Sequence, residues 1–216
     1  MKINLFIIGM HRAGTTYLYN QLSKNENIYS LPIKENNFFV DNFFLKNKVK
    51  NSHRVNNDIS KVNLNNLNKL YSYYLDASVN HFYSKQAPKK LFHYNKVSKI
   101  IIIHRKPIDR LVSHYKMDYY SNFNNRSIEN SIIQELSNNI IGSDLGYLEM
   151  SLFKKYYSNW NKLFNDRILV IDFDKLNDLD YLNKILSNFL KVKINIVNLN
   201  KVNSSINPRF KNFNKL

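Results

Sequence analysis

The sequence contains no cysteine, which excludes disulfides, thiol nucleophiles and thiolate metal sites together. A reducing, cytoplasmic setting is the compartment this predicts. Glycine and proline are scarce, four of each in 216 residues, and no Gly/Ser-rich or Pro-rich linker marks a domain boundary. No internal repeat is evident. Acidic side chains number 16 against 32 basic ones, so the formal charge is +16 and the summed field favours anionic partners: nucleotides, acidic glycans, nucleic acid or an anionic membrane surface. No window approaches the roughly 20 apolar residues of a membrane span. The apolar run in MKINLFIIGM is too short, and too soon followed by a charged loop, for a signal peptide, and reads as a first buried strand.

What is present is apolar material for a core, 44% hydrophobic and 14% aromatic residues, in a length that predicts one domain over residues 1–216. Three segments carry strand-type runs of β-branched and aliphatic residues: 3–8, 99–104 (KIIIIH) and 167–173 (RILVIDF). Each is followed by a helical pattern, the best being 15–24, 108–120, 146–164 and 179–190, with Pro107 suited to a first turn. Continuous apolar strands alternating with helices predict an α/β fold, a central parallel sheet flanked by helices. The Asn-rich stretch 46–69 reads as a surface excursion.

Two of the four glycines, Gly9 and Gly14, fall in one hexapeptide between the first strand and the first helix, IIGMHRAGTTYLYNQL. The frame is G-x-x-x-x-G, but Thr15 stands where nucleotide triphosphatases place lysine. In a strand-loop-helix setting the glycines allow a tight turn, and the amides of Ala13 to Thr16 face a phosphate or sulfate from a helix N-terminus. Arg12 adds a full charge, and the hydroxyls of Thr15 and Thr16 add donors. KIIII leads into His104 and Arg105, where a triphosphatase offers a magnesium-binding carboxylate. Arg105 would then stand at a strand's C-terminal end, with Ser113 two turns into the next helix, as a second anion site.

The pairing of GMHRAGTTYL with KIIIIHRKPIDRLVSHY resembles the two cofactor motifs of the sulfotransferases that use 3′-phosphoadenosine 5′-phosphosulfate (PAPS). LPIKENNFF is similar to the K-E-x-H-F-F segment of the heparan-type and related bacterial carbohydrate sulfotransferases. YLDASVNHFY resembles their G-E-x-S-P-x-Y-L segment, and residues 146–176 and NFLKV resemble later ones. The resemblance implies a P-loop-like nucleotide-binding fold and PAPS as donor, with 3′-phosphoadenosine 5′-phosphate (PAP) as product. It puts Arg12, Ala13, Gly14, Thr15 and Thr16 on the 5′-phosphosulfate, and Arg105 and Ser113 on the 3′-phosphate. By position in the late N-x-S-x-x-P-R stretch it adds Arg209 and Lys201 as nucleotide contacts. Departures are Arg12 where many members have lysine, Asn37 in place of histidine, and Ala77 and Val79, the first removing a lysine that the heparan enzymes use near the transferred group.

Sulfuryl transfer needs a base for the acceptor's proton and positive charge where the leaving phosphate develops. Glu35 is the expected base and a contact to the acceptor, Arg12 the expected charge at the sulfuryl oxygens, and His11 a hydrogen-bond donor or acid. Asp76 is expected to orient acceptor hydroxyls. A metal is not expected: His53, His81, His93 and His114 have no ligand spacing. The expected partners are the nucleotide and a glycan or glycan precursor, with no nucleic acid, and the charge is compatible with peripheral contact to an anionic membrane. A P-loop kinase or hydrolase and a basic nucleic-acid-binding module are the alternatives.

Overall fold

The structure is a computed structural model, and it describes residues 1–40, 58–65, 67, 69–137 and 146–197. Five parallel strands form one sheet: β1 Leu5–Gly9, β2 Ile28–Ser30, β3 Tyr73–Ala77, β4 Lys99–His104 and β5 Ile168–Asp172. Their order is β2-β3-β1-β4-β5, with Phe6 opposite Asp76, Ile7 opposite Ile101 and Ile102 opposite Val170. The helices are α1 Thr15–Leu22, α2 Asn80–Tyr83, α3 Ala87–Tyr94, α4 Pro107–Tyr120, α5 Ile128–Ser137, α6 Phe153–Phe164 and α7 Leu179–Leu190.

The expected α/β architecture is present, and burial explains why its central strands were legible. Every residue of β1 is buried, as is Ile100–Ile103 of β4, because the central strands of a parallel sheet are covered on both faces. β3 is equally buried in its last four residues, but it reads YYLDA. An aromatic and acidic strand has no aliphatic run to reveal it, and β2 is only three residues long. The expected helix over 146–164 starts later, at Phe153, after a 3₁₀ turn at Glu149–Ser151. The cause is Glu135 of α5, whose carboxylate accepts from the amides of Tyr147, Leu148 and Glu149 and holds that segment as a turn. Of the stretch 46–69, the residues described form a 3₁₀ turn at Ile59–Lys61 and its flanks.

From β1 the chain winds through β2 and β3 on one side, then crosses to β4 and β5 on the other. The adjacent C-terminal ends of β1 and β4 therefore flank a topological switch point, the crevice where open α/β sheets bind ligands. Helix α4 starts with Pro107 and carries Asp109 in its first turn, both favourable at a helix N-terminus. Behind the sheet, Trp160 of α6 is fully buried and its indole N–H donates to the Phe82 carbonyl at 3.3 Å.

Candidate active site

Between β1 and α1 the chain makes a tight loop whose two glycines are dictated by close approach. A Cβ at Gly9 would lie 2.8 Å from Cβ and Cγ of Phe82. Gly14 caps α1 in the left-handed region at φ 82, and a Cβ there would meet Leu176 Cδ1 at 2.5 Å. Ala13 is buried, and its amide donates to the Met10 carbonyl at 3.2 Å, closing the loop. That amide is thus engaged within the loop, whereas the first-turn amides of α1 have no partner inside the helix. Thr15 is buried and Thr16 exposed.

The second motif meets this loop directly. Arg105, following β4, donates from Nη1 to the Arg12 carbonyl at 2.6 Å, and its guanidinium lies 4.2 Å from the centre of the Phe173 ring. Arg12 itself, at φ 63, extends over α4: Nε donates to Ser113 Oγ at 3.3 Å and Nη1 lies 3.3 Å from Met117 Sδ. Burial lowers the affinity of both guanidinium groups for their protons from the usual arginine value. Arg105 Nε is buried with no hydrogen-bond partner. An unsatisfied buried donor on a cation, beside a helix N-terminus and a second arginine, fits an anionic ligand at the switch point. These residues fit the phosphate groups of a nucleotide.

On the other side of the loop stands Glu35. Its side chain is 11% exposed and pairs with Lys34, while the Val79 amide donates to its Oε2 at 2.9 Å. Both Glu35 (φ 66) and Asn37 (φ 56) adopt left-handed backbone, which costs a non-glycine residue on the order of 1 kcal/mol and marks a held conformation. His11 is connected to this segment through Asn80: His11 Nε2 lies 2.9 Å from Asn80 Oδ1, and Asn80 Nδ2 donates to Asn37 Oδ1 at 3.3 Å. The Asn80 amide orientation assigns the imidazole proton to Nε2. Burial pulls the His11 pKa down to about 4, so the ring is neutral near pH 7 and has no acidic proton to give. Its amide donates to the Tyr83 hydroxyl at 3.1 Å.

Asp76 lies elsewhere than on an open face. It is fully buried on β3, its carboxylate accepts from Asn36 Nδ2 and Ser78 Oγ, each at 2.9 Å, and burial raises its pKa to about 6. Arg209 and Lys201 lie outside the described residues. Phe82 and Tyr83 are buried, with ring contacts to Phe153 and Tyr156. Sequence reasoning missed Asn80, Phe173 and Arg110. Arg110 is fully buried and ties α4 to the neighbouring turn through Tyr147 O (2.6 Å) and Ser151 Oγ (2.7 Å). Its position in HRKPIDRLVS, three residues before Ser113, was the available signal. A cavity of about 430 Å³ beside β2, lined by Tyr19, Tyr29, Ser30, Lys69 and Tyr71 among others, shares none of these site residues. Among the described residues no three His, Asp or Glu side chains come together as a metal site, and no helix is long and apolar enough to cross a membrane.

A parallel sheet with an anion loop and a second arginine site at its switch point defines a P-loop-like nucleotide-binding protein. The particular family follows from the sequence, which matches the sulfotransferase family over residues 4–180; the chain belongs to that family and is an enzyme of sulfuryl transfer. Among solved structures, a sulfotransferase from Alicyclobacillus acidocaldarius is 20% identical with a TM-score of 0.77, over 91% of this chain and 84% of that one. The sulfotransferase domain from the curacin biosynthetic pathway is 16% identical with a TM-score of 0.58, over 89% and 75%. A mouse sulfotransferase solved in complex with PAP is also 16% identical, with a TM-score of 0.55 over 90% and 60%. At these identities the likeness is one of fold. No curated protein matches the chain.

Proposed function

We propose that this sulfotransferase takes its sulfuryl group from PAPS and passes it to a hydroxyl or amine of a carbohydrate acceptor, with residues 1–216 working as one domain. The observation that carries the donor is the convergence of Arg12 and Arg105 at the end of β1 and β4, with Arg105 Nε left without a partner. Two arginines, Ser113 and the N-terminus of α1 supply donors for a nucleotide carrying phosphate at two positions. The Thr15 and Thr16 hydroxyls and the first-turn amides of α1 face the 5′ side, and Arg105 with Ser113 the 3′ side.

Glu35 accepts the acceptor's proton as that oxygen or nitrogen bonds to sulfur. Arg12 and the helix N-terminus face the phosphate oxygens that gain charge as the sulfur–oxygen bond to the phosphate breaks. His11, neutral and hydrogen-bonded to Asn80, shapes the floor between the loop and Glu35 and carries no proton in transfer. The carbohydrate assignment is supported by the likeness of LPIKENNFF and YLDASVNHFY to carbohydrate sulfotransferase segments.

Thermal unfolding with nucleotides tests the donor. A ligand at 100 times its Kd adds roughly 2.7 kcal/mol of stability, and PAP is expected to do so where ATP with magnesium does not. Sulfate transfer from labelled PAPS to candidate glycans tests the acceptor, and it is expected to continue in the presence of a chelator. Preferential stabilisation by ATP with magnesium, together with loss of activity on chelation, would point to a kinase instead.

A further inference from the structure

The buried carboxylate of Asp76 lies behind the loop that carries Glu35, and three side chains lead from it to that loop. Asn36 Nδ2 donates to Asp76 Oδ1 at 2.9 Å and also to the Ile33 carbonyl at 2.6 Å, pinning the residue between the two left-handed positions. Ser78 Oγ donates to Asp76 Oδ2 at 2.9 Å and accepts from the Asn37 amide at 3.1 Å. His81 Nε2 accepts from the Phe39 amide at 3.3 Å, which places the ring proton on Nδ1. That Nδ1 has no hydrogen-bond partner and lies 3.8 Å from Asp76 Oδ2. Asp76, Ser78 and His81 are all fully buried, and Asn36 and Asn37 nearly so.

Asp76 is itself fixed to the sheet centre. It stands opposite Phe6 of β1, and the next residues continue the attachment: the Glu35 amide donates to the Ala77 carbonyl at 2.8 Å, and the Ser78 amide to the Ile7 carbonyl at 3.0 Å. β1 is the strand that ends in the anion loop. One buried carboxylate therefore joins Asn36, Asn37 and Phe39 to the strand that delivers Gly9 to Gly14.

We propose that Asp76 is a positioning residue, which holds the Glu35 loop at a fixed distance from the anion loop through Asn36, Ser78 and His81. The proposal rests on the sulfuryl-transfer reading, in which Glu35 is the base. A carboxylate suits the task because Asn36 and Ser78 both donate to it, His81 Nδ1 lies 3.8 Å from it, and it is acceptor-only. Asparagine at this position would turn one oxygen into a donor facing Ser78 and His81, without changing the size of the side chain. None of Asp76, Asn36, Ser78 and His81 belongs to the anion loop or to the Arg105–Ser113 site, so the loss of this arrangement is expected to act on turnover and not on nucleotide affinity.

The experiment combines amide hydrogen exchange with a double-mutant cycle in the full chain. In Asp76→Asn, protection of the Asn37, Phe39 and Val79 amides is expected to fall at least about tenfold, with the β4 amides Ile101 and Ile102 unchanged. Turnover is expected to fall about tenfold or more with PAP affinity unchanged, and this loss should vanish in a Glu35→Gln background, since Asp76 acts through Glu35. Unchanged protection of the three amides, or full additivity of the two substitutions, would overturn the proposal. Near-normal turnover in Glu35→Gln would instead remove Glu35 as base, and exchange alone would then decide whether Asp76 holds the loop. Should Asp76→Asn not fold, Asn36→Ala and Ser78→Ala each remove one arm and are read by the same two measurements.

Discussion

Arg12 Nε donates to Ser113 Oγ at 3.3 Å although the two residues stand 101 positions apart in the chain. The contact joins the anion loop after β1 to the helix after β4, and Arg105 closes the same junction from behind by donating to the Arg12 carbonyl. A cation, a hydroxyl and a second cation thus share one small region, and among the described residues no carboxylate accepts a hydrogen bond from them. That concentration of donors and positive charge favours an anionic ligand.

The first prediction separates the two phosphate positions. Arg105→Ala and Ser113→Ala should weaken binding of PAP far more than binding of the analogue lacking the 3′-phosphate. Hydrogen bonds to charged groups are worth about 1.5–3 kcal/mol, so a loss on the order of tenfold to a hundredfold is expected for Arg105. Calorimetry of both nucleotides checks this, and equal losses would place the 3′-phosphate elsewhere.

Glu35→Gln keeps the shape of the side chain and its bond from the Val79 amide, but removes the proton acceptor. Turnover should fall at least about 10²-fold, the low end for general-base catalysis, with PAP affinity retained. Rates of sulfate transfer from labelled PAPS decide it. A variant working at near-normal rate would move the base to another group.

Acid stability should reveal three buried groups with opposite effects. Burial lowers His11 to about 4 and His81 to about 3 from 6.5, so their contribution is present above 6.5 and is lost as the pH falls. Asp76, raised from 3.8 to about 6, acts in the opposite sense: its contribution is present below 3.8 and is lost as the pH rises through 6. Between pH 6 and 4 Asp76 therefore offsets one histidine. Asp76→Asn should lose stability with falling pH more steeply than the parent by about 1.4 kcal/mol per pH unit over that range. Urea unfolding at pH 6, 5 and 4 measures the two slopes, and parallel lines would contradict the assignment.

The two glycines should differ when replaced by alanine. At Gly9 the new methyl meets Cβ and Cγ of Phe82, atoms close to the α2 backbone in a side chain that is 1% exposed. At Gly14 it meets a terminal methyl of Leu176, which can swing away, leaving mainly the strain of φ 82. Gly9→Ala is expected to cost about 1–3 kcal/mol by overpacking, and Gly14→Ala about 1 kcal/mol. Denaturant midpoints rank the two, and the reverse order would show that Phe82 yields more readily than its packing implies.

Much of this architecture was written in local pattern. The isoleucine run of β4 and the apolar run of β1 announce buried parallel strands, because both faces of those segments must avoid water. The helix over 179–190 was legible to the residue, with apolar side chains at helical spacing and Asp178 accepting from the Tyr181 amide as its cap. The glycine spacing of the anion loop and the Arg105–Ser113 spacing were equally plain, since each motif lies within one short stretch of chain. β3 was not legible, because an aromatic and acidic strand is stable only where neighbouring strands and a ring of hydrogen-bond donors receive it.

The chemistry of the individual groups belonged to the sequence, and their states did not. That residue 76 is a carboxylate and residue 11 an imidazole is local information. That the first faces inward to Asn36 and Ser78, and the second is neutral and tied to Asn80, follows from contacts between segments tens of residues apart. The reason is desolvation: a titratable group's charge and partners depend on what displaces water around it. Only the packing of β1, β3 and the Glu35 loop against one another supplies those neighbours.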